Sequence, residues 1–277
     1  LAVYQRRFKG DDAQVATSLN NVAFCLHDLG RAADALPKLE ASLAMCERLF
    51  AGDDPHVARG LNNVAYCLHG LGRAAEALPK YEAALEMCLR HLGGDHPDVV
   101  RGLNNVASCL HALGRSTEAL PKYEASTAMC ERLYKGDNPV VATGLNNVAA
   151  CLLALGRGTE ALTKHEAALA MHERLFKDDH PHVARSLNNV GNGLSALGRH
   201  AEALSKHEAA LAMYERLSRG DHPNVALSLV LVASCLRELG RDDLALPKYE
   251  SAVRMSRNCG AGESWRWSGL LGTLLLR

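Results

Sequence analysis

The chain has no charge of either sign to spare. Its 277 residues hold 31 Lys and Arg against 31 Asp and Glu. Nothing draws it as a whole toward phosphate backbones or anionic membranes, so neither nucleic acid nor a membrane is expected as a partner. Aromatic residues are scarce at 5%, with two Trp and four Phe, although 48% of the chain is hydrophobic. That balance, carried by Ala and Leu, suits helices packed closely through small side chains. No apolar run approaches the roughly 20 residues of a membrane span. No secretory signal is visible either, because Arg6 and Arg7 follow Leu1 within six residues. The chain does not begin with Met, and a piece of a longer protein is expected.

Catalytic and metal-binding signatures are missing as well. There is no Gly-rich phosphate loop and no CxxC pair. Every Ser, His and Asp that could serve a nucleophile or its base is a repeated position, so the chain is expected not to be an enzyme and to need no cofactor. His27, His69 and His111 recur on one helix flank. A metal needs ligands converging at about 2 Å, whereas adjacent packed helices lie about 10 Å apart, so no metal is expected. His96, His180 and His222 precede proline and read as turn residues. Cysteine is the one reactive type in quantity, with nine in all. Seven of them, Cys25, Cys46, Cys67, Cys88, Cys109, Cys130 and Cys151, are spaced 21 apart, and Cys235 and Cys259 follow. An odd count on a regular spacing points to reduced, buried thiols acting as small hydrophobes. A cytoplasmic location follows from that reading.

What is present is a repeat. Leu-Asn-Asn recurs from Leu19, Leu61, Leu103, Leu145 and Leu187, always 42 residues apart, and Leu229 continues the series with Val230 and Leu231 in place of the asparagines. Leu-Gly-Arg follows in each unit, at Gly30, Gly72, Gly114, Gly156, Gly198 and Gly240. An acidic turn ending in proline precedes each later triplet, at Pro55, Pro97, Pro139, Pro181 and Pro223. The period divides the chain into a partial repeat 1–10, full units of about 11–52, 53–94, 95–136, 137–178, 179–220 and 221–262, and a degenerate tail 263–277, all in one domain spanning 1–277. A fixed period of this length is the mark of a repeat array.

Each unit reads as two helices. In the second, Asp53 and Asp54 before Pro55 form a helix start. Leu61, Val64, Ala65, Leu68 and Leu71 then recur at helical spacing, and Gly72 ends the helix. A second helix over about 74–92 buries Ala77, Tyr81, Leu85, Cys88 and Leu92. Glu76 with Lys80, and Glu118 with Lys122, are expected as surface i,i+4 pairs. Pro37, Pro79, Pro121 and Pro247 fall inside second helices and need a place in the first turn or a bend. Helix pairs near 13–28 and 32–50 should therefore recur every 42 residues.

This pattern resembles the tetratricopeptide repeat. That family's Trp-x2-Leu-Gly-x2-Tyr signature maps onto Leu61, Val64, Ala65 and Leu68, and its Ala-x3-Phe onto Ala77 and Tyr81. The period of 42 exceeds the usual value of about 34, and Leu89 replaces the closing proline. Together with the Leu-Asn-Asn, Gly-Arg and Asp-His-Pro wording, the long period is similar to the kinesin light chain subgroup. The resemblance implies an all-α, right-handed superhelical solenoid of antiparallel helix pairs, with first helices lining a concave groove.

Helical geometry selects the residues facing that groove. The stripe of Leu61, Val64, Ala65, Leu68 and Leu71 points one way, and Arg59, Asn63 and Tyr66 lie roughly 170° from it. Repeating that strip gives Asn21, Arg59, Asn63, Tyr66, Arg101, Asn105, Asn147, Arg185 and Asn189 as candidate peptide-binding residues. An Asn side chain both donates and accepts and so can clamp a peptide backbone, while Arg grips carboxylates. In the resembling family, groove asparagines and basic residues hold partner peptides, often acidic ones. The first asparagine of each pair instead suits a bridge between neighbouring hairpins. The expected function is a protein–protein interaction scaffold that binds an acidic partner peptide. The alternative is a sensor or regulatory arm of a larger NTPase or signalling enzyme whose catalytic part lies elsewhere. The apolar C-terminal end, with Val230, Leu231, Trp265 and Trp267, is a candidate for self-association.

Overall fold

In a computed structural model, residues 11–50, 52–218 and 220–259 are described. The partial repeat 1–10, the tail 263–277 and the self-association residues Trp265 and Trp267 lie outside them. The described residues form twelve α-helices and no strand. In chain order they are α1 (Ala13–Asp28), α2 (Ala32–Leu49), α3 (Pro55–Gly70), α4 (Ala74–Leu92), α5 (Pro97–Ala112) and α6 (Ser116–Leu133). The second six are α7 (Pro139–Ala154), α8 (Gly158–Leu175), α9 (Pro181–Ala196), α10 (His200–Leu217), α11 (Pro223–Glu238) and α12 (Asp242–Asn258). Each consecutive pair packs as a hairpin, and the fold class is an all-α repeat solenoid. The hairpins fall into two compact units, divided after Lys135.

Local chemistry sets the helix limits. Asp12, Asp54 and Asn138 occupy N-caps and accept backbone N–H bonds through their side-chain oxygens. His96, His180 and His222 do the same with Nδ1, at 3.1, 3.2 and 3.1 Å from the next-but-one amide. These histidines are caps, a more specific role than the turn residues expected of them. At the other end, Gly72 takes φ 76°. It donates to the His69 carbonyl while Arg73 donates to that of Leu68. That pairing satisfies two carbonyls the helix leaves open, and it needs a left-handed residue that glycine supplies.

Val64, Ala65, Leu68, Ala77, Tyr81 and Leu85 are buried as expected, while Leu61, Leu71, Cys88 and Leu92 are half-buried. Glu76 and Glu118 make their ion pairs with Arg73 and Arg115, 2.7 Å away and one turn back, while Lys80 and Lys122 add a longer-range attraction. Pro79 is the sixth residue of α4, beyond the first turn, and the helix runs on through it.

Five of the six described hairpins are also closed by an ion pair from the end of the second helix to the residue before the N-cap of the first, and in the sixth Asn258 Nδ2 donates to Asp221 at 2.7 Å instead. Arg132 reaches Asp95 at 2.6 Å and Arg174 reaches Asp137 at 2.7 Å, with the same pairing at Arg48–Asp11, Arg90–Asp53 and Arg216–Asp179. Hydrogen bonding to the guanidinium holds each of these carboxyls below its usual range.

Candidate functional site

The predicted strip lies on the first helices, opposite their buried stripes. In the unit 11–135, a cleft of about 260 Å³ gathers Thr17, Asn21 and Phe24 from α1, Arg59 and Asn63 from α3, and Arg101 from α5. A neighbouring crevice of about 350 Å³ shares Arg59 and Arg101 and runs back between hairpins to Leu85, Met87 and Cys88. Four of the predicted residues therefore meet at one place. Asn105 does not line either space. Tyr66 is 49% exposed, and its ring leans on His27 of the preceding hairpin, with centroids 5.1 Å apart.

The two arginines differ in their surroundings. Arg101 is 2.6 Å from Asp98, one turn back on its own helix. No carboxylate pairs with Arg59 among the described residues, although Arg73 and Arg90 of the same hairpin are both paired. Arg59 is the uncompensated cation of this cleft.

Both asparagines of a pair take part in the bridge between hairpins. Asn63 Nδ2 donates to Asn20 Oδ1 at 2.8 Å, and Asn105 Nδ2 donates to Asn62 Oδ1 at 2.7 Å. The bridge expected of the first asparagine thus also engages the second, through one N–H of its amide. Gly60 and Gly102 allow this close approach: a Cβ on either would come within 2.9 Å of Leu43 or Leu85 Cδ1.

In the unit 136–259 the same positions build a different seam. Ser186 and Ser228 replace those glycines, and His165 and His207 stand where the first unit has Tyr81 and Tyr123. His165 Nδ1 donates to Asn146 Oδ1 at 2.7 Å, and Asn146 Nδ2 donates to Ser186 Oγ at 3.4 Å. His207 Nδ1 donates to Asn188 Oδ1 and Asn188 Nδ2 to Ser228 Oγ, both at 2.9 Å. Here the first asparagine alone bridges, and Asn147 and Asn189 remain half-exposed. A cleft of about 320 Å³ collects His182, Arg185, Asn189 and Asn192 from α9 with Leu227 and Leu231 from α11. It contains no carboxylate. Arg185 Nη2 donates to His182 Nδ1 at 3.1 Å. Burial, with help from Arg185 and His180, holds His182 below the usual imidazole range and keeps Nδ1 free to accept. Asn147 lies outside this cleft.

His182, His165 and His207 were not singled out in the sequence. The signal was there in the column Tyr81, Tyr123, His165, His207, where an ionisable ring replaces a phenol at a core position. No group of three or more His, Cys, Asp or Glu among the described residues is arranged to hold a metal ion, and no described helix is long and apolar enough to cross a membrane.

A family model for the tetratricopeptide repeat matches residues 14–88, 56–132, 98–156, 140–216 and 187–258. No curated protein matches the sequence. Among solved structures, one similar chain is a Podosopora anserina protein described as a kinesin light chain with nearly identical TPR-like repeats. It is 20% identical, with 76% of this chain and 100% of that chain covered and a TM-score of 0.67. Another is BtubC (BKLC) from P. vanneervenii, 21% identical over 82% of this chain and 92% of that one, with a TM-score of 0.68. A third is a signal transduction ATPase with numerous domains from Pyrococcus horikoshii, which carries a tetratricopeptide repeat sensor. It is 14% identical over 94% of this chain but only 38% of that chain, with a TM-score of 0.65. At these identities the likeness is one of fold.

Proposed function

Because the chain belongs to the tetratricopeptide repeat family, whose members bind protein or peptide partners, we propose that it is a non-catalytic interaction scaffold that takes an acidic partner peptide along its first helices. One observation carries the reading: Arg59 stands without a carboxylate partner in a cleft that also presents Asn21, Asn63 and Arg101. Arginine offers a carboxylate a two-pronged grip, and an Asn63 side chain that uses one N–H in its bridge keeps capacity to hydrogen-bond a peptide backbone. Arg185 and Asn189 repeat the combination in the second unit. Asn105, Asn147 and Tyr66 extend the surface as lesser contacts. Each charge-assisted bond is worth about 1.5–3 kcal/mol, and ordering the peptide offsets much of it. A short peptide should therefore bind with micromolar affinity. The buried thiols of Cys67, Cys109 and Cys151 support a cytoplasmic setting.

The test is calorimetric titration with acidic peptides selected from a random display library. Arg59→Glu should abolish binding while leaving the melting temperature unchanged, and the wild-type affinity should fall steeply with salt. Unchanged affinity in Arg59→Glu would remove the basis of the proposal.

The Pyrococcus horikoshii structure favours a second reading. There a repeat array of this fold serves as the sensor of an ATPase, and this chain spans 38% of that protein. An open reading frame extending from this chain into a phosphate-binding loop would support it, and a frame with no such loop would count against it.

A further inference from the structure

We propose that the hairpins of the unit 136–259 form an acid-sensitive switch, in which protonation of His165, His172 and His207 breaks the seams between successive hairpins. All three rings are buried, at 3%, 0% and 1% exposure. They sit where two hairpins meet, and each is tied into a hydrogen-bond chain. His165 donates to Asn146, Asn146 donates to Ser186, and the Ser186 hydroxyl is hydrogen-bonded to His172 Nδ1 at 2.8 Å. The chain crosses α7, α8 and α9. His207, Asn188 and Ser228 form its counterpart one hairpin further on.

The surroundings of His172 make the chain sensitive to protons. His172 is hydrogen-bonded through Nδ1, and its Nε2 is buried without a hydrogen-bond partner. Protonating both nitrogens would place a charge and an unpartnered N–H inside the seam. His172 also stacks on His182, with centroids 5.3 Å apart, and His182 stacks on His180 at 5.1 Å. The charged or titratable groups acting on His172 are His182, Arg185 and His180, all cationic when charged. No carboxylate offsets a proton there. For His165 and His207 burial alone opposes the charge, with only neutral groups in hydrogen-bond contact. Ring packing leaves no slack at His207, because a Cβ on Gly191 of α9 would lie 2.5 Å from its Cε1.

The first unit lacks this device. Its corresponding positions hold Tyr81, Tyr123, Cys46, Cys88 and Cys130, none of which gains a proton between pH 7 and 5. Burial lowers the three histidines of the second unit from 6.5 to about 4. The folded unit is therefore neutral at these sites while the unfolded chain takes up protons below pH 6.5, so stability is lost as pH falls through that window. By linkage, each histidine multiplies the population of the opened state roughly 30-fold at pH 5.

The experiment is native-state hydrogen exchange of the full chain, followed by mass spectrometry from pH 7.5 to 5 and corrected for intrinsic rates. Segments of α8 to α11 should lose protection steeply below pH 6.5, while α3 to α6, where burial lowers the pKa of the half-buried His69, should lose far less. The variant His165→Tyr, His172→Cys, His207→Tyr, which carries the residue types of the first unit, should remove the difference. Equal pH dependence of both units in the wild type would overturn the proposal. Where the variant does not fold, NMR titration of the imidazole resonances decides. Histidines titrating near 6.5 with the second unit intact would overturn it, and resonances that stay neutral until the unit opens would uphold it.

Discussion

The Asn62–Asn105 bridge allows a direct test of whether the asparagine ladder is structural. Its N···O distance is 2.7 Å, and both residues are half-buried. Replacing either by Ala removes one hydrogen bond, worth about 1 kcal/mol net, and leaves its partner's polar group short of a bond in a partly dry seam. Ala is a better helix former than Asn by roughly 0.5 kcal/mol. Each single change should therefore destabilise by about 1 kcal/mol. In the double variant the bond is lost only once, no polar group is stranded, and two helix gains of about 0.5 kcal/mol accrue, so the net change should be near zero. Urea unfolding of the four proteins should give a coupling energy of about 2 kcal/mol. Additivity to within about 0.3–0.5 kcal/mol would refute the bridge as a determinant of stability. It would also free both asparagine amides for a ligand, and the groove would have to be reassigned.

Three further outcomes are expected. Rapid alkylation at neutral pH should mark Cys25 and Cys259, the exposed thiols, and spare Cys67, Cys109, Cys151 and Cys235, as peptide-level mass spectrometry would show. Leu110→Ala, at 1% exposure in α5, should cost about 2–5 kcal/mol in chemical unfolding, because the surrounding helices cannot close the cavity. Arg132→Ala breaks an ion pair whose members are 56% and 33% exposed, so solvent screening should leave the melting temperature nearly unchanged.

The helices were legible because their limits are set locally. Asp54, Pro55 and Gly72 act within a turn or two of sequence, and α1 and α2 fall within a residue of the ranges their pattern predicts. The site was less legible, because a repeat unit read alone does not show its neighbours. Cys25 occupies the same helical position as Cys67 and was expected to be buried, yet it is exposed. Cys67 Sγ donates to the Ala32 carbonyl of the preceding hairpin, and Cys109 to that of Ala74. No described hairpin precedes α1, so Cys25 has no such cover. Arg59 and Arg101 looked equivalent for the same reason. The difference is Asp98, which stands where the preceding hairpin has His56. Repetition states what units have in common, whereas chemistry at a particular place depends on the columns where they differ.

The contacts that close each hairpin and join it to the next have short reach along the chain. Ring-closing Arg–Asp pairs span 37 residues, Asn–Asn bridges 43, Cys-to-carbonyl bonds 35 and Asn–Ser bonds 40. None depends on a residue more than about one period away. A recombination event that inserts or removes one period's worth of codons would therefore return surviving side chains to the same repeat positions relative to the next hairpin. The number of hairpins is open to heritable change in a way that the length of a single hairpin is not, and lineages carrying this gene should differ by whole units sooner than by fractions of one.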